Sequence, residues 1–327
     1  MEKFKAYRIF SEQGKVTGRF VEMTSDELDA GEVLIRNAYA SVNYKDALAA
    51  TGAGKIIRRF PCIGGIDAAG VVESSGDPRF KPGDPVIAHG GGLGVEHDGG
   101  YAGYVRAASD WVIKLPAGFE PVDAITIGVA GYTAALAIHV MEQNGLTPAA
   151  GKVLVNGATG GCGSIGIDML SQLGYHVVAV TGKDAEHEYL KKLGATEVLA
   201  RASLQLGSRP LEKSLWAGAL DSVGGEQLAW LTRTMQPHGL IASFGNAGGI
   251  ELHTTVLPFI LRGVRLLGIN SDNPPALREA VWRRLATDLR PRQLALIRHE
   301  VAFDALPQMF EQALHGKARG RTVVRIE

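Results

Sequence analysis

The stretch SVNYKDALAATGAGKIIRRFP, residues 41–61, sets Asn43, Tyr44, Lys45 and Asp46 in a row and follows them with Lys55, Arg58 and Arg59. A phenol with a reference pKa of about 10 is protonated at neutral pH and can donate that proton. An amide can orient a neighbouring group, and flexible cations attract phosphates. The plain alternative is a polar helix start followed by a solvated loop. Asp46 either orients Lys45 or caps a helix over 45–50.

A second group of residues speaks of nucleotide binding. In VLVNGATGGCGSIG, the run Gly161-Cys162-Gly163-Ser164-Ile165-Gly166 fits G-x-G-x-x-G. Glycines are common in this chain, so the spacing alone is weak. Its context is stronger, because a buried-strand pattern precedes it and an apolar-periodic helix pattern follows. Such glycines let the backbone turn and approach a pyrophosphate, whose charge sits at the helix N-terminus. The next strand, HVVAVTG, ends in Thr181-Gly182-Lys183 where an NAD site usually places an acid. A hydroxyl, a small residue and a cation accept a 2′-phosphate. Arg201 closes the third strand, so the pattern points to NADPH over NADH. Asp184 would restore an acid after a one-residue shift; we read it instead as an N-cap before AEHEYLKKL.

Metal and nucleophile patterns are thin. A catalytic zinc takes three protein ligands and a structural one four. The chain has two cysteines, Cys62 and Cys162, and nine scattered histidines. His187-Glu188 lacks a histidine four residues on. We expect no metal. His89 and His97, in the glycine-rich HGGGLGVEHDGG, are candidates to line a cleft. Cys162 is read as packing inside the glycine-rich turn.

These residues need elements to hold them. The first third reads as short strands punctuated by Gly and Pro. From KVLVNGA onward, apolar strands alternate with helical segments about six times, which argues for a parallel sheet covered on both faces. The terminal RTVVRI reads as a lone strand that returns to the N-terminal unit. Lys plus Arg equals Asp plus Glu at 34 each, so there is no basic footprint for nucleic acid. MEKFKAYRIF has no signal-peptide core, and no run approaches about 20 apolar residues. We expect a cytoplasmic chain without membrane or nucleic-acid partners.

The runs NYKDALAATGAGKIIRRFP, GIDAAGVV, DPRFKPGDPVI, GGYAGYVR, TGGCGS, VTGK, HEYLKKLGA, RPLEKSLWAGALDSVG, TTVLPFILRGVRLLGI and GRTVV occur in order along the chain. With them the sequence resembles the medium-chain dehydrogenase/reductase superfamily over its whole length. Within it, the chain is similar to the zinc-independent quinone oxidoreductases and NADPH-dependent acrylyl-CoA reductases. Zinc-bearing relatives carry Gly-His-Glu where this chain has Gly65-Ile66-Asp67.

The resemblance implies an α/β fold with a GroES-like β-rich catalytic domain, residues 1–122 and 290–327, and a Rossmann domain, residues 123–289. It also implies a homodimer joined through the strand near 264–270. The family's cofactor contacts fall on Tyr44, Thr159, Gly160, Gly161, Cys162, Thr181, Gly182, Lys183, Arg201, Gly245, Asn246, Phe259, Ile260, Asn270 and Ser271. The reaction implied is reduction of the C=C bond of acrylyl-CoA to propionyl-CoA, with hydride to Cβ and a proton to Cα. Tyr44 is the leading proton donor, Asn43 an orienting group and Asp67 an acid at the site. Lys55, Arg58 and Arg59 would hold the phosphates of an acyl-CoA. The alternatives are an NADPH:quinone oxidoreductase and a non-catalytic NADPH-binding protein.

Overall fold

The computed structural model describes residues 3–326. The chain divides into two compact units, Met1–Val129 with Asp272–Ala280 and Leu294–Glu327, and Ala130–Ser271 with Val281–Gln293. The expected boundaries at 122/123 and 289/290 lie a few residues away, and Asp272–Ala280 joins the first unit.

The first unit is built on two sheets. Strands β1 (Phe4–Glu12) and β2 (Lys15–Met23) form a hairpin pairing Glu12 with Lys15, and β4 (Cys62–Ile63) adds to β1. Gln13 and Gly14 both have positive φ, the backbone that a two-residue turn needs to match strand twist. The larger sheet centres on β3 (Val33–Val42), beside β5 (Asp67–Ser75), β6 (Pro85–His89) and β8 (Val112–Lys114). Strand β7 (Tyr104–Ala107) also pairs with β3. Helix α1 (Tyr44–Thr51) leaves β3 after a single residue, Asn43. Near the C-terminus, β15 (Arg298–Ala302), a helix over Leu306–Leu314 and β16 (Arg321–Arg325) return to this sheet, with β16 antiparallel to β3. That last helix packs Phe310 against Tyr7 and Tyr101 at 5.7 Å between ring centroids.

Helix α2 (Pro121–Gln143) carries the chain from the first unit into the second. No run approaching about 20 apolar residues is expected from the sequence here. Its most apolar window nonetheless reaches a mean hydropathy of 1.7, and 83% of that window is buried inside the protein. At Gly128 the backbone is not helical, with φ 50° and ψ −158°.

The second unit holds six parallel strands in the order β11-β10-β9-β12-β13-β14. They are β9 (Lys152–Val155), β10 (His176–Thr181), β11 (Glu197–Ala200), β12 (Trp216–Asp221), β13 (Met235–Ser243) and β14 (Arg265–Gly268). The central strands are continuous buried runs, as a sheet covered on both faces requires. Helices α3 (Gly161–Gln172), α4 (His187–Lys192), α5 (Gly225–Thr234) and α6 (Leu257–Arg262) supply crossovers. Residues 204–215 connect β11 to β12 without a helix, where Gly207 and Pro210 interrupt the pattern. Strand order reverses between β9 and β12, which puts the ligand crevice of such a sheet at their carboxyl ends.

Candidate active site

The carboxyl end of β9 leads into the glycine-rich turn. Gly157 takes φ 55°, and the Gly160 N–H returns to its carbonyl at 2.9 Å. Thr159 is buried, Gly160 precedes α3, and Gly161 and Cys162 begin it. A Cβ on Gly163 would lie 2.6 Å from the Gly157 oxygen, and one on Gly166 2.8 Å from the Leu220 side chain. The motif's second and third glycines therefore serve close packing. The left-handed turn is made by Gly157, which the spacing pattern does not include. The first N–H groups of α3 lack partners within the helix and favour an anion.

At the end of β10, the Thr181 hydroxyl accepts the Lys183 N–H at 3.0 Å. A Cβ on Gly182 would stand 2.8 Å from Arg201 Nη2, so the guanidinium lies over bare backbone there. Arg201 is exposed and has no ion-pair partner among the described residues. Asp184 starts a 3-10 turn with its side chain 86% exposed; Lys183, not Asp184, occupies the cap position. Gly245 and Asn246 follow β13, and a Cβ on Gly245 would meet the Ser222 oxygen at 2.3 Å. Phe259 packs against the cluster around Trp216 and Trp230, whereas Ile260 is 67% exposed. Asn270 and Ser271 follow β14. The glycine cradle and the Thr181–Lys183 and Arg201 group fit a phosphorylated dinucleotide.

The first unit holds the other group of residues. Tyr44 begins α1, 42% exposed, and its hydroxyl has no partner among the described residues. Asn43 caps the helix, and Asp46 accepts its N–H at 2.9 Å and its amide Nδ2–H at 3.0 Å. Asp46 also accepts the Ile66 N–H at 3.0 Å. Of the two roles open to Asp46, the structure shows the cap. Burial, then the negative charge of Asp67, pushes its carboxyl up to about 7 against the hydrogen bonds from Asn43 and Ile66.

Asp67 is sealed from solvent. It accepts from the Ser41 N–H at 3.0 Å, the Ser41 hydroxyl at 2.6 Å, the Asn43 amide at 3.5 Å and the Val129 N–H at 3.1 Å. Arg321 Nη2 stands 3.6 Å from it and also donates to the Ser41 hydroxyl. Nη1 of Arg321 donates to the Asn43 side-chain oxygen Oδ1 at 2.9 Å, and Nε to the Thr126 backbone carbonyl at 3.1 Å. The Tyr101 hydroxyl donates to the Ser41 carbonyl at 3.0 Å. Asn43 and Asp67 are thus occupied by protein partners, and Tyr44 is the group of the three with a free polar end.

The cations differ from the three free charges expected. Arg58 pairs with Glu96 at 3.2 Å, and Arg59 pairs with Asp29 and reaches the Glu96 carbonyl at 3.2 Å. Lys55 is exposed and has no ion-pair partner among the described residues. The histidines also differ from the expectation of a cleft lining. His89 is wholly buried, and burial with the nearby Arg278 pushes it down to about 3. His97 has its ring nitrogens 3.0 and 2.9 Å from the Asp98 and Ala30 carbonyls. Burial pushes the Cys62 thiol up to about 12, which leaves no nucleophilic thiolate at neutral pH.

Among the described residues, no three His, Cys, Asp or Glu side chains gather as metal ligands. Asp67 is surrounded by N–H and O–H donors and a guanidinium, a set that repels a cation. The residues here do not fit zinc. Sequence reasoning reached Asn43, Tyr44 and Asp67 but missed Ser41, Tyr101, Gly128 and Arg321 as their supports. Arg321 was visible only as part of the GRTVV run.

Residues 29–117 match the family described as "Alcohol dehydrogenase GroES-like domain", and residues 161–287 match "Zinc-binding dehydrogenase". The "Putative quinone oxidoreductase YhfP" of Bacillus subtilis is 45% identical over 326 residues, 99% of each chain. A crystal structure of the Bacillus subtilis protein yhfP with NAD bound has a TM-score of 0.96, covering 99% of this chain and 100% of that one. The "Acrylyl-CoA reductase AcuI" of Ruegeria pomeroyi is 42% identical over 317 residues, 96% of each chain. The crystal structure of the yhdH oxidoreductase from Salmonella enterica in complex with NADP has a TM-score of 0.95 at 44% identity, covering 99% of this chain and 100% of that one.

Proposed function

We propose, from the premise that this chain belongs to the medium-chain dehydrogenase/reductase superfamily in its acrylyl-CoA reductase and quinone oxidoreductase group, that it reduces the C=C bond of acrylyl-CoA to propionyl-CoA in the cytoplasm. The chain is an NADP(H)-dependent oxidoreductase. The observation that carries the substrate reading is Tyr44, a phenol with no partner among the described residues, next to a side-chain network that engages the polar atoms of Asn43, Asp46 and Asp67.

NADPH, when bound, supplies a hydride. Thr159 to Cys162 hold the pyrophosphate at the start of α3. Thr181, Gly182, Lys183 and Arg201 hold the 2′-phosphate, and Gly245, Asn246, Asn270 and Ser271 complete the cofactor contacts. As Cβ of the enoyl thioester is reduced, negative charge develops on the thioester oxygen, and a donor aimed at it lowers the barrier. Tyr44 is that donor; it passes its proton to Cα as the enolate returns to the thioester, and the phenolate, 42% exposed, takes a proton back from solvent. Asn43 and Asp67 act by position, because their polar atoms are already engaged. Lys55 attracts the CoA phosphates, while Arg58 and Arg59 fix their loop to carboxylates.

The name of the Bacillus subtilis relative favours quinone reduction as a second reading. Stopped-flow oxidation of NADPH with acrylyl-CoA, crotonyl-CoA and a benzoquinone separates the two. We expect acrylyl-CoA to have the highest kcat/KM. Faster turnover of the benzoquinone would replace this reading with the second one, and no turnover of any would leave a binding protein.

A further inference from the structure

The break in α2 at Gly128 frees a carbonyl on one side and an amide on the other. Both are taken by one buried ion pair. Arg321 Nε donates to the Thr126 carbonyl at 3.1 Å, and Asp67 accepts the Val129 N–H at 3.1 Å. Each charge has the sign that the adjoining helix end favours: a cation at the C-terminus of the first half, an anion at the N-terminus of the second. Gly128 is required twice. Its φ of 50° suits glycine, and a Cβ there would lie 2.6 Å from Asp67 Oδ2 and 2.7 Å from Arg321 Nη2.

The same ion pair reaches the other way, to the residue before Tyr44. Asn43 receives Arg321 Nη1 on its side-chain oxygen Oδ1 and directs its side-chain NH2 toward Asp46, Ser41 and Asp67. A flipped amide would set NH2 against a guanidinium and oxygen against carboxylates, so Arg321 selects one orientation. Asn43 in turn fixes where α1 begins, and Tyr44 is its first residue. The charged and titratable groups facing Arg321 and Asp67 are Asp46 from α1 and Tyr101 from the loop before β7. Arg321 is 2% exposed, on the last strand of the chain.

We propose that Arg321 is a positioning residue: with Asp67 it clamps the α2 break at Gly128 and the Asn43 amide as one unit, and so presents the Tyr44 phenol. The claim rests on the reading of Tyr44 as the proton donor, and the clamp itself is measurable without turnover. A lysine at 321 keeps the charge but cannot reach the Thr126 carbonyl, the Ser41 hydroxyl and the Asn43 oxygen together.

Arg321→Lys is compared with the native full chain by amide hydrogen exchange. Segments 41–52 and 124–131 speed up together by about tenfold or more, while β1 and β2 keep their protection. Unchanged exchange in either segment, or equal loss in β1 and β2, overturns the clamp. Should Arg321→Lys not fold, Ser41→Ala, which removes the hydroxyl between the two charges, carries the same comparison. The kinetic arm is a double-mutant cycle. Tyr44→Phe lowers kcat by about tenfold or more with NADPH affinity kept, and Arg321→Lys lowers it similarly. The pair together loses little more than the worse single change, because both act through one phenol. Losses that multiply overturn the link to Tyr44. A native chain inert toward enoyl-CoA and quinone removes the activity reading and leaves the exchange result to decide the clamp.

Discussion

Asp46 is the residue whose chemistry is most displaced by its surroundings. Its folded-state pKa is raised, so the folded protein holds the proton more tightly than the unfolded chain does. Stability from this group is fully present below about pH 4 and is lost as pH rises through about 7. The neutral acid needs an acceptor for its proton, and the Tyr101 hydroxyl lies beside it. Replacing Asp46 with Asn removes the titration. The unfolding free energy of the native protein, relative to Asp46→Asn, should therefore fall between pH 4 and pH 7.5, by at most ~1.4 kcal/mol per pH unit, as read by denaturant titration at each pH. Parallel stability profiles for the two proteins would show that Asp46 keeps an ordinary carboxylate pKa. The capping role was legible in the spacing of Asn43 and Asp46. The displaced pKa was not, because it comes from Asp67 and from burial, which a local sequence window does not contain.

At the scale of elements, the parallel sheet and its first turn were legible because their signals are local: apolar strand, glycines, apolar-periodic helix. What escaped was whatever depends on a distant partner. The break at Gly128 was not legible, because the side chains that meet it, Asp67 and Arg321, are far away in sequence, and Arg321's partner Ser41 is 280 positions from it. The missing helix at 204–215 was hidden by the expectation of strict alternation. The tip of β10 allows a quantitative test of the cofactor reading. Arg201 lies over Gly182 and, among the described residues, has no anion paired with it, as a residue that receives a phosphate would. A charge-assisted pair to phosphate contributes roughly 1.5–3 kcal/mol. Arg201→Ala should then raise the Kd for NADPH about tenfold to a hundredfold and leave that for NADH nearly unchanged. Equal weakening of both cofactors, read by fluorescence titration, would place Arg201 outside the 2′-phosphate site.

For the whole molecule, the second unit leaves one problem unsolved in a single chain. Strand β14 ends the parallel sheet, so among the described residues one side of its backbone ladder has no strand beside it. Exposed edges of this kind pair with other chains unless charge, proline or a cover prevents it. The strand itself carries one exposed cation, Arg265, while Val256, Ile260 and Leu261 on and before α6 are each more than 60% exposed. An exposed apolar patch marks an interaction site. Charge does not oppose self-association either, since the acidic and basic residues balance at 34 each. A two-fold pairing of β14 with its copy would satisfy the edge and cover the apolar side chains, in line with the homodimer that the family resemblance implies. This reading also bears on Ile260, which that resemblance placed among the cofactor contacts and which the structure exposes beside Leu261. We expect light scattering at micromolar concentration to give twice the chain mass of 34.7 kDa. The double change Ile260→Glu and Leu261→Lys should shift the species toward the monomer while NADPH affinity is retained. A native protein at the monomer mass would leave β14 as a bare edge and send Ile260 back to the cofactor. A dimer that survives the double change would have to be built elsewhere on the molecule.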